Sequence, residues 1–200
     1  MNIAILASGR GTNFEAIVKA VKKGKIPEAE IKLLITDKED AFVRRRAKRF
    51  KIKDIFVDPK KFKSREDFDR FVVKILKKEK IELVVLAGFM RILSRYFVKQ
   101  FKNKILNIHP ALLPAFKGKD AIKRAYSYGV KVTGVTIHFV DEKVDHGPII
   151  IQKALEIKKG ESLEELEERI HRLEHKLYPY VIRLFVEGRL KIRGRGVEII

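Results

Sequence analysis

The sequence predicts an α/β fold: a doubly wound, mostly parallel, Rossmann-like sheet with an antiparallel hairpin extension and a long carboxyl-terminal helix. Three observations carry this. Short apolar runs alternate with amphipathic segments over the first half of the chain, the pattern of βαβ units. One run, Leu83-Val84-Val85-Leu86-Ala87, is apolar throughout, as befits a strand buried on both faces. A later stretch, Val132 to Val140, alternates apolar and polar residues, then turns and is followed by another strand-like run. That reads as a hairpin at the sheet's edge.

With 200 residues and 46% hydrophobic content, the chain suits one domain, residues 1–200, able to bury a full core. No apolar run reaches the roughly 18 residues of a membrane span, so no membrane partner is expected. The amino terminus lacks the basic region and cleavage site of a secretory signal. Cysteine is absent. That excludes disulfides and thiolate chemistry and fits a cytoplasmic location. The formal charge of +19 raises the question of nucleic acid, yet Lys and Arg are interspersed with 26 acidic residues. The densest cluster, Arg44-Arg45-Arg46 with Lys48 and Arg49, falls on one predicted helix and reads most simply as a solvated face. No specific nucleic-acid partner is expected. A basic field would steer anionic small substrates, and Lys/Glu richness with no Cys resembles thermophile usage.

Taken in order, Asn2 to Ala7 is a first strand. Ser8-Gly9-Arg10-Gly11-Thr12-Asn13 follows, then Phe14, Ile17, Val18 and Val21 at helical spacing. A Gly-rich turn entering a helix leaves free N–H groups that bind anions. Gly11, Thr12 and Asn13 are therefore candidate phosphate ligands, the alternative being a plain tight turn. The dinucleotide fingerprint wants a third glycine where Phe14 stands, so no nicotinamide cofactor is expected, although Asp37 after the second strand (Ile31 to Thr36) could imitate a ribose-binding acid. Helix around 40–50, strand 53–57, helix 64–79 and strand 82–87 continue the alternation. Gly88-Phe89-Met90-Arg91-Ile92-Leu93 then forms an apolar loop at a strand's carboxyl edge. It suits either a slot for a flat organic ligand or core under a loop.

Ile105 to His109 is the central strand, ended by Pro110, which cannot continue a ladder and pushes its predecessor out of helix. Asn107 and His109, at i and i+2, share one face at the edge where open α/β sheets bind ligands. Asp120 is placed to cap a helix to about Tyr128. The Val132–Val140 strand carries Thr136 and His138 on one face. Asp141-Glu142-Lys143-Val144-Asp145-His146-Gly147-Pro148 is a polar turn, and Ile149 to Ile157 returns. Ser162 with Glu165 makes a capping box, so a long helix starts at Leu163, with an apolar stripe through Leu166, Ile170, Leu173 and Leu177. Pro179 is expected to kink it near Tyr178. Strand-like runs on both sides of Arg193-Gly194-Arg195-Gly196 suggest a terminal hairpin.

Two residue sets could carry chemistry. His171-Arg172-Leu173-Glu174-His175 matches the H-x-x-E-H pattern of inverted zinc peptidases, but that site needs a further carboxylate well downstream and little chain remains. No metal is expected. Asn107, His109 and Asp145 are more useful. A carboxylate beside an imidazole raises its pKa, so His109 is expected to be charged near neutrality. With a carboxamide donor beside it, such a ring suits an anionic tetrahedral intermediate. No Ser or Cys sits in a nucleophile motif, which favours direct transfer over an acyl-enzyme.

Asn107-Ile108-His109-Pro110-Ala111-Leu112-Leu113-Pro114 resembles the signature of the folate-dependent formyltransferases, with Ala111 where Ser is common. The Ser8–Asn13 and Leu86–Leu93 stretches, Thr133-Gly134-Val135-Thr136-Ile137-His138-Phe139-Val140, Val144–Pro148 and Glu174-His175-Lys176-Leu177-Tyr178-Pro179 fall in family order, so the likeness spans nearly the whole chain. Within that family they resemble the branch that formylates phosphoribosylglycinamide in de novo purine synthesis. The resemblance implies 10-formyltetrahydrofolate as co-substrate and direct attack by the acceptor amine. It implies Asn107, His109 and Asp145 as catalytic trio; Gly11, Thr12 and Asn13 as phosphate site; and Glu174 at the substrate's amine end. The folate pocket would be lined by Arg65, Met90, Arg91, Ile92, Leu93, Asn107, Val140, Asp141 and Asp145. A monomer or homodimer is expected. Departures are Thr12 for a common Ser, His146 for Gly or Ala, and Lys119-Asp120-Ala121 in a variable segment. The tRNA-formylating branch carries an extra carboxyl-terminal domain and the hydrolase branch a regulatory amino-terminal one; neither is expected here.

Overall fold

A computed structural model describes residues 1–200. Its strands are β1 (Asn2–Leu6), β2 (Glu30–Thr36), β3 (Lys53–Phe56), β4 (Leu83–Leu86), β5 (Ile105–His109), β6 (Val132–Phe139), β7 (Ile149–Glu156), β8 (Leu190–Arg193) and β9 (Gly196–Ile199). Its helices are α1 (Thr12–Lys22), α2 (Phe42–Phe50), α3 (Arg65–Lys78), α4 (Arg95–Gln100), α5 (Ala121–Tyr128) and α6 (Leu163–Val186). All strands join one sheet in the order β3-β2-β1-β4-β5-β6-β7-β9-β8. The first five run parallel, and β6 and β7 pair antiparallel beyond them.

The side-chain period of two builds a core on each face. Ile3, Ile5, Leu83 and Val85 point into the larger apolar cluster with Phe14, Ile17, Ile170 and Ile182 from α1 and α6. Ala4, Leu6, Val84 and Leu86 point the other way, against Phe68, Val72 and Leu76 of α3 and Phe97 of α4. The strand order reverses between β1 and β4, and their carboxyl ends diverge there into a crevice. Beneath it, Tyr178 is completely buried, and its hydroxyl lies 2.9 Å from the carbonyls of both Leu86 and Leu106. Burial raises that phenol far above its ordinary range, so it stays a donor.

Several expectations are corrected. Asp120 sits at the start of α5, but its backbone is left-handed (φ 54°) and its side chain makes no cap bond. As expected, α6 starts after the Ser162–Glu165 capping box, and it carries Pro179 inside a helix that runs on to Val186. The six-residue α4, capped by the Ser94 hydroxyl, follows a stretch read only as loop. The basic face of α2 is more than solvated: Arg46 and Arg49 converge on Glu15 of α1, and Arg44 bonds Asp54 of β3 at 2.7 Å.

Candidate active site

The crevice holds a cavity of about 510 Å³, a size suited to an organic ligand. Four stretches build most of it, with Gly118 to Ala121 ahead of α5 beside them. The turn after β1 supplies Gly9 to Asn13, the loop after β4 supplies Met90 to Leu93, β5 supplies Asn107 and His109, and the β6–β7 loop supplies Val140 to Asp145. His171 and Glu174 close it from α6.

At the first turn, Gly11 has φ 73°, a left-handed backbone, and no side chain caps α1. The first helical bond runs from Glu15 N–H to the Gly11 carbonyl, so earlier N–H groups stay free for an anion. Glycine is required twice over, because a Cβ here would lie 2.3 Å from Val43 Cγ2. Arg46 pins the turn by donating to the Arg10 carbonyl at 2.8 Å, and Ser8 ties it to the next loop by accepting the Met90 N–H at 2.9 Å. Asn13 Nδ2 donates to Glu174 Oε2 at 2.9 Å, while Asn13 Oδ1 is buried without a partner. Glu174 also accepts from His171 Nδ1 at 3.0 Å, and this carboxylate raises the His171 pKa.

Pro110 leads into a turn held by Thr136. Its hydroxyl donates to the Ala111 carbonyl at 2.7 Å and accepts the Leu113 N–H at 3.1 Å, while Gln152 bonds both Thr136 and the Leu113 carbonyl at 2.9 Å. That locks the exit of β5 and hence its last side chains. Asp145 folds back over them: Oδ2 lies 3.3 Å from His109 Nδ1, and Oδ1 lies 3.3 Å from Asn107 Nδ2. The Gly118 N–H donates to Asp145 at 2.8 Å. Asp145 itself stands at φ 46°, a left-handed conformation that side chains other than glycine rarely adopt. Burial pushes its carboxyl up, but the donors around it and the neighbouring histidines hold it below the usual carboxylate range.

The charge expected on His109 is corrected. Burial pushes its pKa below the ordinary histidine value, although Asp145 and the Phe116 carbonyl, 2.9 Å from Nε2, pull upward. His109 is 4% exposed, so desolvation works against the second ring proton even though both nitrogens face acceptors, the Phe116 carbonyl and Asp145.

His138 is the member whose role the sequence left unread. A carboxylate only accepts, so the Asn107 group facing Asp145 is its NH₂. The same NH₂ lies 3.1 Å from His138 Nε2, which must then accept. This agrees with His138 Nδ1, 2.7 Å from the Phe139 carbonyl, carrying the ring proton. His138 is 1% exposed and so fixes which end of Asn107 faces the cavity.

Of the other expected residues, Met90, Arg91, Ile92, Leu93, Val140 and Asp141 line the cavity. Arg65 does not: it is the exposed first residue of α3 and acts on Asp69 from outside. His171 and His175 stack 6.4 Å apart, and no three His, Asp or Glu side chains are grouped to hold a metal ion.

Comparison with known proteins gives this geometry a family. The model described as formyl transferase matches residues 1–182. Phosphoribosylglycinamide formyltransferase of Bacillus subtilis is 46% identical over 90% of this chain and 92% of its own. The trifunctional purine biosynthetic protein adenosine-3 of Gallus gallus is 44% identical over 98% of this chain, which spans 19% of that protein. The crystal structure of glycinamide ribonucleotide transformylase 1 from Symbiobacterium toebii superposes with a TM-score of 0.97 at 44% identity, covering 100% of this chain and 94% of that one. The chain belongs to the formyl transferase family.

Proposed function

We propose that this protein is a phosphoribosylglycinamide formyltransferase, moving the formyl group of 10-formyltetrahydrofolate to the amine of phosphoribosylglycinamide. One observation carries the reading: a single cavity joins an uncapped helix start, suited to a phosphate, to a buried Asn–His–Asp cluster and an apolar slot. The slot formed by Met90, Ile92, Leu93 and Val140 fits a flat heterocycle, and its exposed members Met90 and Ile92 gain most from being covered. The donor supplies the formyl carbon; the acceptor amine adds to it, loses a proton, and the carbon–N10 bond breaks as N10 regains one.

The chain's groups match that sequence. Asn107 presents an NH₂ whose second hydrogen makes only the long 3.3 Å contact with Asp145, so an oxyanion can take it. His109, whose second ring proton burial disfavours, is placed beside Asn107 to exchange the proton the amine loses. Asp145, ionised, favours the imidazolium as it forms. That attraction grows along the reaction, which is the differential stabilisation that raises kcat. Glu174 and the unpartnered Asn13 Oδ1 offer acceptors to the ribose and amine end. The test is a formyl-transfer assay offering phosphoribosylglycinamide, methionyl-tRNA and water as acceptors. Transfer to the ribonucleotide alone is expected; preferential transfer to tRNA or water would refute the reading.

A further inference from the structure

We propose that the β8–β9 hairpin braces the loop that carries Asp141 and Asp145, with Arg195 and His146 as positioning residues. The inference deepens the proposed function and rests on it for its kinetic readout.

The loop between β6 and β7 is pinned at its base, and near its tip an exposed ion pair ties Glu142 to Arg95 of α4 at 3.0 Å. The Phe139 N–H donates to the Pro148 carbonyl at 2.9 Å, and Gly147 packs so closely that a Cβ would stand 1.9 Å from the Phe139 oxygen. Above the base, residues 142–144 are exposed, and Asp145 holds its disfavoured positive φ. Such a conformation persists only where surrounding structure over-determines it. Gly118 supplies one restraint from within the cavity. Arg195 supplies another from outside.

Arg195 lies in the turn between β8 and β9, and β9 is seated beside the loop's exit through the Gly196–Ile149 pairing. Its Nη2 donates to the His146 carbonyl at 2.8 Å, and its Nη1 lies 3.1 Å from His146 Nε2. A guanidinium only donates, so Nε2 presents its lone pair and the ring proton sits on Nδ1. Nδ1 in turn donates to Asp141 Oδ2 at 2.6 Å. Asp141 is held a second time by the Lys143 N–H on Oδ1 at 2.9 Å. One planar fork thus fixes a loop carbonyl, a histidine tautomer and a carboxylate in the cavity wall. The other hairpin arginines serve the hairpin itself: Arg193 pairs with Glu198, and Arg189 holds the Ile200 carbonyl.

The test combines kinetics with two readouts independent of activity. In Arg195→Ala, the KM for 10-formyltetrahydrofolate should rise about three- to tenfold, the scale of one or two lost hydrogen bonds. The KM for phosphoribosylglycinamide and the melting temperature should stay near those of the parent. Amide exchange at residues 141–147 should quicken, and ¹⁵N spectra should show His146 losing its uniform Nδ1–H form. Arg195→Lys, which keeps a charge but not the fork, should fall between. Unchanged loop exchange would overturn the brace. So would an equal rise in both KM values with a lowered melting temperature, which would make the hairpin general scaffold. If the parent transfers no formyl group, the functional reading fails, while exchange and tautomer still decide on the brace.

Discussion

Asp145→Asn isolates the charge at the centre of the cluster, because the two side chains are nearly isosteric. The carboxylate accepts the Gly118 N–H at 2.8 Å and stands 3.3 Å from both Asn107 Nδ2 and His109 Nδ1. With its side chain 10% exposed, solvent replaces little of what is removed. A hydrogen bond to a charged group contributes roughly 1.5–3 kcal/mol. One such contact strengthened in the transition state therefore corresponds to about one to two orders of magnitude in kcat. The amide's NH₂ must also face one of the donors that the carboxylate accepted, so the loss falls at the upper end. Titration of His109 has a definite sign. Burial lowers its pKa and Asp145 raises it, so removing the charge moves the titration further down, away from the unperturbed value of about 6.5. If neutral His109 is the proton acceptor, the acid limb of kcat/KM shifts down with it while the plateau falls. Steady-state kinetics across pH and NMR of the ring measure both. A variant whose His109 titrates at the parent pH, or whose KM rises while kcat holds, would show that Asp145 is not the partner of this ring.

Three further perturbations probe the rest of the site. Gly11→Ala forces a Cβ onto a backbone at φ 73° and against Val43, costing roughly 2–4 kcal/mol from strain and overpacking. Thermal unfolding should show that loss, and the KM for the ribonucleotide should rise well beyond that for folate; an equal rise would make the turn merely structural. A folate analogue at a hundredfold excess over its Kd should stabilise the protein by about 2.7 kcal/mol without the second substrate, and absence of a thermal shift would remove Met90, Ile92 and Leu93 from the slot. Tyr178→Phe deletes a buried donor shared by two carbonyls, Leu86 at the end of β4 and Leu106 in the adjacent β5. It should cost about 1–3 kcal/mol, read as a melting point lower by roughly 2–4 °C per kcal/mol, and an unchanged melting point would mean that water takes its place.

The fold was legible where local pattern and tertiary burial agree. β4 is apolar throughout because both its faces are covered, and Ser162 with Glu165 marks a helix start by chemistry confined to a few residues. The juxtaposition of Asn107, His109 and Asp145 was also readable, since Pro110 ends one strand at the sheet's edge and a hairpin returns to it. Other features needed distant partners. The six residues of α4 are too few to show a period, and their cap is reinforced from α3 by Asp69, which accepts the Ser94 N–H at 2.5 Å. The charge of His109 depends on how completely the ring is desolvated, which residue types cannot convey. Arg65 is near the right elements in sequence, but the first turn of α3 directs it to solvent. Arg195 and His146, 49 residues apart, carry no local signal at all.

The charge pattern brings these parts into one account. The chain carries a formal +19, yet the residues closing the reaction end of the cavity include Asp145 and Glu174, both largely buried. Their roles differ by distance. The field of the surface cations extends about a Debye length, near 8 Å at physiological ionic strength, and acts on anionic ligands as they approach. Within the cavity, short contacts decide. Each acid is held by aimed donors rather than by a lysine or arginine: Asp145 by Gly118 and Asn107, Glu174 by Asn13 and His171. Amide and imidazole donors leave both acids able to attract a proton-bearing group that arrives with the substrate. On this reasoning the surface charge governs how fast anionic substrates arrive, and the aimed donors inside govern what happens to the proton once they are bound.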